Sequence, residues 1–265
     1  MNNTIYPLGH DVSELERLDQ QAQLLNDPLL EKLAGKAKNC LEIGCGNGSN
    51  LPLLRNANPN LKYTGIDIAS TAIDAAKLRY GSDVNAEFKV MDAQFINLEP
   101  GSFDLIFVKL VLWSLGPEWA TVLKEVHRLL APGGVFYSLE PCNQMVELFP
   151  EKPAVKAWMN NWDQAALQSG LNPFIGTEIS GGLKRSGFEN VDSKFFPVIA
   201  SGTETERYTA IIKNLKGFYM GPALEHMGLP PSAEQKKKVN EEFDSFNANS
   251  LVMDALYVSW GYKSA

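Results

Sequence analysis

The sequence is poor in the residues that build metal centres and disulfide frameworks. Its 265 residues include only three cysteines, Cys40, Cys45 and Cys142, and three histidines. An odd cysteine count without framework spacing argues for a reducing compartment, and no histidine stands near Cys40 and Cys45, so no metal site is expected. Positive charge is also short. Lys+Arg number 24 against Asp+Glu 31, a formal net charge of -7, which lacks the basic footprint of a nucleic-acid binder. No run of about 18 apolar residues is present, so no membrane span is expected. Met1–His10 has neither a basic start nor an apolar stretch, so a secretory signal is not expected and a cytoplasmic location is. Internal repeats and low-complexity tracts are missing too. What is present is a 45% hydrophobic content, enough to fill a sizeable core.

The most informative stretch is Cys40-Leu41-Glu42-Ile43-Gly44-Cys45-Gly46-Asn47-Gly48. A strand-like apolar run ends in three glycines at alternate positions, ahead of a helix-like run. Glycine serves where the chain needs positive φ or where a ligand approaches the backbone. The dinucleotide fingerprint asks for Gly-x-Gly-x-x-Gly. Here the third glycine comes one residue early, which counts against a nicotinamide cofactor. The acid at Glu42 suits a positively charged amine or sulfonium better than a pyrophosphate.

The pattern around this loop alternates between strand and helix. Ser13 and Glu16 fit a capping box that opens a first helix, and Pro28 opens a second that ends at Gly35. Strands are expected at 40–43, 62–67, 86–91, 103–109 and 135–139, with helices at 70–80 and 117–130. Such alternation specifies an α/β, doubly wound, Rossmann-like parallel sheet. Further helices are expected at 153–169, 179–186, 203–215 and 232–246, with strands at 191–199 and 256–262. That makes seven strands, helical cap insertions and an N-terminal lid helix. The chain is read as a single domain, 1–265. Within it, 1–35 forms the lid helices, 36–142 a cofactor-binding core, 143–250 the sixth strand with a substrate cap, and 251–265 the terminal strand.

Glu42, Asp67, Asp92 and Lys109 all fall at carboxyl ends of expected strands, which is where parallel sheets bind ligands. Asp67, 23 residues after Gly44, suits the two hydroxyls of a ribose. Asp92 suits an exocyclic amine, and the next backbone N–H, at Ala93, a ring nitrogen; Asp92 equally fits an ordinary strand-end turn. Lys109 can offer its carbonyl.

Leu-Glu-Ile-Gly-Cys-Gly-Asn-Gly, Tyr-Thr-Gly-Ile-Asp-Ile-Ala, Met-Asp-Ala-Gln, Phe-Asp-Leu-Ile-Phe and Leu-Lys-Glu-Val-His-Arg-Leu-Leu-Ala-Pro-Gly-Gly resemble the successive motifs of the class I S-adenosylmethionine-dependent methyltransferases. The resemblance covers about residues 39–140, in order. It implies S-adenosylmethionine as cofactor and an antiparallel last strand. It places Gly44, Cys45, Gly46 and Asn47 against the methionine part, with Glu42 near its amino group and the carbonyl of Lys109, followed by Leu110, on the ammonium. Asp67 would bind the ribose, Ile68 would pack on adenine, and Asp92, Ala93 and Gln94 would read the adenine edge. The N-terminal stretch is similar to the lid of small-molecule methyltransferases, which implies Tyr6, Arg17 or Gln21 near the methionine carboxylate. Arg17 equally fits an ion pair on a solvated helix face.

Methyl transfer asks mainly for alignment and exclusion of water. A base is needed only for a protonated nucleophile, and Tyr6, His10 and Glu140 are the candidates, with His226 behind them. Trp158, Trp162, Phe174, Phe218, Tyr219, Met220 and Met227 suit an apolar acceptor pocket or an ordinary core. The expected partner is a small, mostly apolar molecule, not a nucleic acid, and a homodimer is compatible with the sequence. A nucleotide-dependent oxidoreductase and a non-catalytic S-adenosylmethionine-binding protein stay open as alternatives.

Overall fold

The computed structural model describes residues 12–201, 205–221, 223–247 and 249–265, without the side chains of 12–15 and 205. Tyr6 and His10 lie outside the described residues, as does the rest of the N-terminal leader.

A central sheet organises the chain. Five strands, β1 (Asn39–Ile43), β2 (Lys62–Asp67), β3 (Ala86–Val90), β4 (Phe103–Lys109) and β5 (Leu130–Pro141), run parallel in the order β3-β2-β1-β4-β5. The closing strand β8 (Leu251–Tyr262) pairs antiparallel with β5, from Val135↔Tyr262 to Pro141↔Leu256. Strand β7 (Glu189–Ser201) pairs antiparallel with β8 along its other side. An eighth strand, β6 (Glu147–Phe149), pairs with Leu251–Met253. It adds to the seven expected strands, all of which are present: three residues are too few to show alternation, and the partner lies about a hundred residues further on. The same pairing lengthens β8 to Leu251, beyond the expected start at 256.

Helices cover the parallel part: α2 (Pro28–Ala34), α3 (Leu51–Ala57), α4 (Ser70–Tyr80) and α5 (Trp119–Leu129), while α7 (Ile179–Arg185) packs on β7 and β8. Strand β4 shows the consequence: Leu105, Ile106, Phe107 and Val108 are each 0% exposed, as a strand covered on both faces requires. Helix α5 turns Val122, Leu123, Val126 and Leu129 onto the sheet, one stripe at helical spacing. At about 25 cal/mol per Å2 of apolar surface, such side chains contribute about 1.5–3 kcal/mol each before entropy is set against them.

Outside the sheet lie α1 (Val12–Leu24), α6 (Pro153–Gln168), α8 (Thr205–Met220), α9 (Ala223–His226) and α10 (Ala233–Asp244). The capping box expected at Ser232 and Gln235 is present, with both reciprocal bonds made. Helix α1 includes Val12, ahead of the expected start at Ser13; the side chain of Ser13 lies outside those described. Helices α1 and α8 pack on each other: the Asn214 amide donates to the Arg17 carbonyl at 3.2 Å, and Gly217 leaves room for the Arg17 side chain, whose Cδ would lie 3.2 Å from a Cβ there.

Candidate active site

A cleft of about 250 Å3 opens at the carboxyl ends of β1, β2 and β4, with α1 along one side. Arg17, Gln21, Gly44, Cys45, Gly46, Asn47, Asp67, Ile68, Asp92, Ala93, Gln94, Lys109 and Leu110 all line it.

The loop after β1 depends on its glycines. Gly44 has φ +72 and Gly46 φ +53, both in the left-handed region. A Cβ at Gly44 would sit 2.3 Å from Val111 Cγ2. The Gly44 and Cys45 N–H groups both donate to the Ile66 carbonyl, at 2.8 and 3.0 Å. Asp67 then fixes the loop from the end of β2. Its carboxylate accepts from Gly46 N–H at 2.9 Å through one oxygen and from Ala69 N–H at 2.9 Å through the other. Beside it Ile68 is 62% exposed, an uncovered apolar face at the cleft rim. Asp92 makes the turn bond of a strand-end acid, accepting from Gln94 N–H at 2.8 Å.

Glu42 sits behind the loop, not in the cleft. It is 1% exposed, and its two oxygens accept from the Tyr63 hydroxyl and from Asn50 Nδ2. The role expected of it beside a ligand's amino group is corrected accordingly. Asn50, which does line the cleft, relays to it: its Oδ1 accepts from Lys109 Nζ at 2.8 Å. Burial raises the Glu42 carboxyl to about 7 and lowers the Lys109 ammonium to about 8. The Lys109 side chain is thus tied to a buried acid, while the residue's backbone borders the cleft. Nothing local in the sequence marked Asn50 as the bridge.

Glu140 is corrected more sharply. It is 0% exposed and does not line the cleft. One oxygen accepts from Val111 N–H at 3.0 Å and Leu112 N–H at 2.9 Å, and the other from Trp113 N–H at 3.3 Å. Burial raises its carboxyl to about 7, against the pull of these three donors. This carboxylate holds the turn after β4, where Leu110 has φ 57. A left-handed non-glycine residue costs on the order of 1–3 kcal/mol and persists only where its surroundings over-determine it. Glu140 is therefore a positioning residue for the cleft wall and not its base. His226 lies on α9 and does not line the cleft either.

Helix α1 is fastened to the glycine loop by a residue that sequence reasoning missed. Asp19 accepts from Ser49 Oγ at 2.8 Å, Asn47 Nδ2 at 3.2 Å and Arg79 at 2.8 Å. Burial pushes its carboxyl up, and these bonds outweigh it, so the pKa is lowered. Arg17, two residues earlier, is 8% exposed and borders the cleft, with its guanidinium 5.9 Å from the Phe218 ring. The reading of Arg17 as part of a solvated face is set aside.

The far end of the cleft is lined by Trp113, Ser114, Leu115, Pro141, Asn143, Trp162, Pro173 and Phe218. Of the expected aromatic cap residues, Trp162 and Phe218 reach it. Trp158 instead donates its indole N–H to the Tyr219 carbonyl in the core, at 2.8 Å.

Comparison with known proteins bears on this geometry. Residues 41–138 match the model of a methyltransferase domain family, the stretch that builds β1 to β5 and the glycine loop. Over these residues the chain is similar to a methyltransferase domain. It is 27% identical over 160 residues to a demethylmenaquinone methyltransferase of Lactococcus lactis, which covers 59% of each chain. It is 30% identical over 130 residues to a fatty-acid O-methyltransferase of Mycolicibacterium smegmatis, covering 49% of this chain and 47% of that one. The chain thus spans about half the length of the curated relatives it matches. Among solved structures, an S-adenosylmethionine-dependent methyltransferase of Methanosarcina mazei superposes with TM-score 0.55 at 21% identity, over 90% of this chain and 98% of that one. A phosphoethanolamine N-methyltransferase of Haemonchus contortus, bound to S-adenosylhomocysteine, gives TM-score 0.55 at 15% identity over 95% of this chain and 53% of that one. These likenesses show the fold. The matches favour the methyltransferase reading over the oxidoreductase left open by the sequence.

Proposed function

We propose that this methyltransferase domain binds S-adenosylmethionine and passes its methyl group to a small, mostly apolar acceptor. The observation that carries the reading is the continuity of one cleft from Asp67 and the glycine loop to a wall of aromatic rings. The residues suit the cofactor. Gly44, where a Cβ would collide with Val111, and Gly46, both at positive φ, leave the loop backbone bare beside the cleft. Asp67 is a carboxylate already held in place by two N–H donors, with lone pairs remaining for a ribose diol. Ile68 offers an uncovered apolar face for a flat ring.

In this reading Asp67 holds the ribose, Asp92 and the Ala93 N–H meet the adenine edge, and Gly44, Gly46 and the Lys109 backbone border the methionine part. The sulfonium, when bound, supplies an activated methyl group and a neutral leaving group. The protein's share is then alignment and dryness. Helix α1, fastened through Asp19, closes one side, and Trp113, Trp162 and Phe218 exclude water from the acceptor end. Helices α6 and α8 act as its cap. The acceptors named for the Lactococcus and Mycolicibacterium relatives, a demethylmenaquinone and a fatty acid, are likewise apolar.

Calorimetric titration tests the cofactor, and label transfer tests the chemistry. S-adenosylhomocysteine and S-adenosylmethionine should bind one to one while NAD does not. Methyl label from the cofactor should pass into an extract of hydrophobic metabolites and not into tRNA or a basic peptide. Binding of NAD alone, or label appearing in the polymers alone, refutes the reading.

A further inference from the structure

Two polar side chains line the aromatic end of the cleft: Ser114, whose hydroxyl donates to the Val111 carbonyl at 2.8 Å, and Asn143. Trp113 and Trp162 have ring centroids 5.7 Å apart, and Trp162 and Phe218 4.8 Å apart, forming a wall against which a flat ring can stack. Asn143, on the turn that follows β5, lies in the same lining. Its backbone N–H donates to the Pro173 carbonyl at 3.1 Å, which fixes where the side chain starts. Its Nδ2 donates to Asp163 Oδ1 on α6 at 2.6 Å.

Asp163 is 7% exposed. Burial lifts its carboxyl to about 6, against the pull of the Asn143 bond, so it stays mainly ionised at neutral pH. An ionised carboxylate only accepts, so the Asn143 amide has to turn its NH2 end toward it. The carbonyl end is thereby presented as an acceptor, and among the described residues the bond to Asp163 is the only one its side chain makes. Among the described residues the Trp162 indole N–H has no hydrogen-bond partner, but the side chain is 0% exposed, so Trp162 contributes packing to the wall and the Asn143 amide contributes the polar contact.

An acceptor oxygen set beside an aromatic wall calls for a group that gives a hydrogen bond. A hydroxyl gives one; an ether, a ketone or a hydrocarbon does not. We propose that the acceptor substrate is a flat aromatic alcohol, of the phenol class, whose hydroxyl is read by the Asn143 carbonyl, with Asp163 as the residue that positions Asn143. The inference rests on the reading of the cleft as a methyl-transfer site and names the chemistry of its second substrate.

The probes are 2-naphthol and 2-methoxynaphthalene, which share a ring system and differ in the hydroxyl hydrogen. Equilibrium dialysis uses the full chain saturated with S-adenosylhomocysteine at neutral pH. 2-Naphthol should bind about tenfold more tightly, the gain of one buried hydrogen bond. Asn143→Ala should bring the two within about twofold of each other. Asp163→Asn should erode the preference as well, because either end of the Asn143 amide can then face position 163, while S-adenosylhomocysteine affinity stays unchanged. Equal binding of both naphthalenes to the parent chain, or binding of neither, overturns the proposal, as does a preference that survives Asn143→Ala. If Asn143→Ala does not fold, the parent ratio and Asp163→Asn decide. Failure of S-adenosylhomocysteine itself to bind strikes the methyl-transfer reading, whereas normal binding without a naphthol preference strikes only the assignment of the phenol class.

Discussion

Glu140 separates a structural carboxylate from a catalytic one, and two substitutions read the difference. Glu140→Ala strands the N–H groups of Val111, Leu112 and Trp113, of which Leu112 is 0% and Trp113 3% exposed. Each orphaned buried donor costs on the order of 1–3 kcal/mol. The third bond, at 3.3 Å, is the longest, so the low end of the range applies to it. The sum is about 3–7 kcal/mol, enough to unfold a domain at the lower end of the usual stability range of about 5–15 kcal/mol. Glu140→Gln behaves differently. Its carbonyl oxygen can keep the Val111 and Leu112 bonds, both made to one carboxylate oxygen, and only its NH2 meets the Trp113 donor. The variant also removes a buried charge whose desolvation already raises the carboxyl to about 7. It should therefore lie within about 1–2 kcal/mol of the parent. Chemical denaturation measures both stabilities, and S-adenosylhomocysteine release measures turnover. Glu140→Gln should keep turnover within a few-fold, because the turn carrying Leu110 still holds the cleft wall. A stable Glu140→Gln protein with turnover lost by orders of magnitude would restore Glu140 as a base and refute this account.

Asp67→Asn keeps the shape but turns an amide NH2 toward Gly46 or Ala69; S-adenosylhomocysteine affinity should fall by about ten- to a hundredfold, the worth of a charge-assisted bond, and unchanged calorimetric affinity contradicts the assignment. Asp19→Ala frees α1 from Ser49, Asn47 and Arg79; hydrogen exchange in α1 should rise and cofactor affinity fall, with little change in melting temperature because this acid is part-exposed, and unaltered exchange in α1 refutes the latch. Stability should also depend on pH in a set direction. Glu140 titrates near 7 and Asp163 and Asp254 near 6 in the folded chain, all raised by burial. Below the unfolded values of about 4 this contribution is fully present, and it is lost as pH rises from about 4 to about 7, where the folded chain holds protons that the unfolded chain has released. The melting temperature should decline across that window, and a rise across it contradicts the burial argument.

The alternation of short apolar runs and helical stripes determined the parallel core by itself. A strand buried on both faces, such as Phe103–Lys109, needs a continuous apolar run, and a positive-φ loop such as Gly44 to Gly48 needs glycine. Both are local requirements and so are written locally. Strand-end positions for Asp67, Asp92 and Lys109 follow from the same periodicity, which is why these residues meet at one cleft. The tertiary structure decided what each polar group does once it is there. Glu140 stands at a strand end like the others, yet its carboxylate faces the backbone of a turn 27 to 29 residues earlier. Asp19 reaches 28 residues to Asn47, and Asn143 reaches 20 to Asp163. Strand β6 exists only because Leu251–Met253 lies beside it. Side-chain hydrogen bonds form between groups brought within about 3 Å whatever their separation along the chain, so their pairing is legible only after the sheet has set the distances.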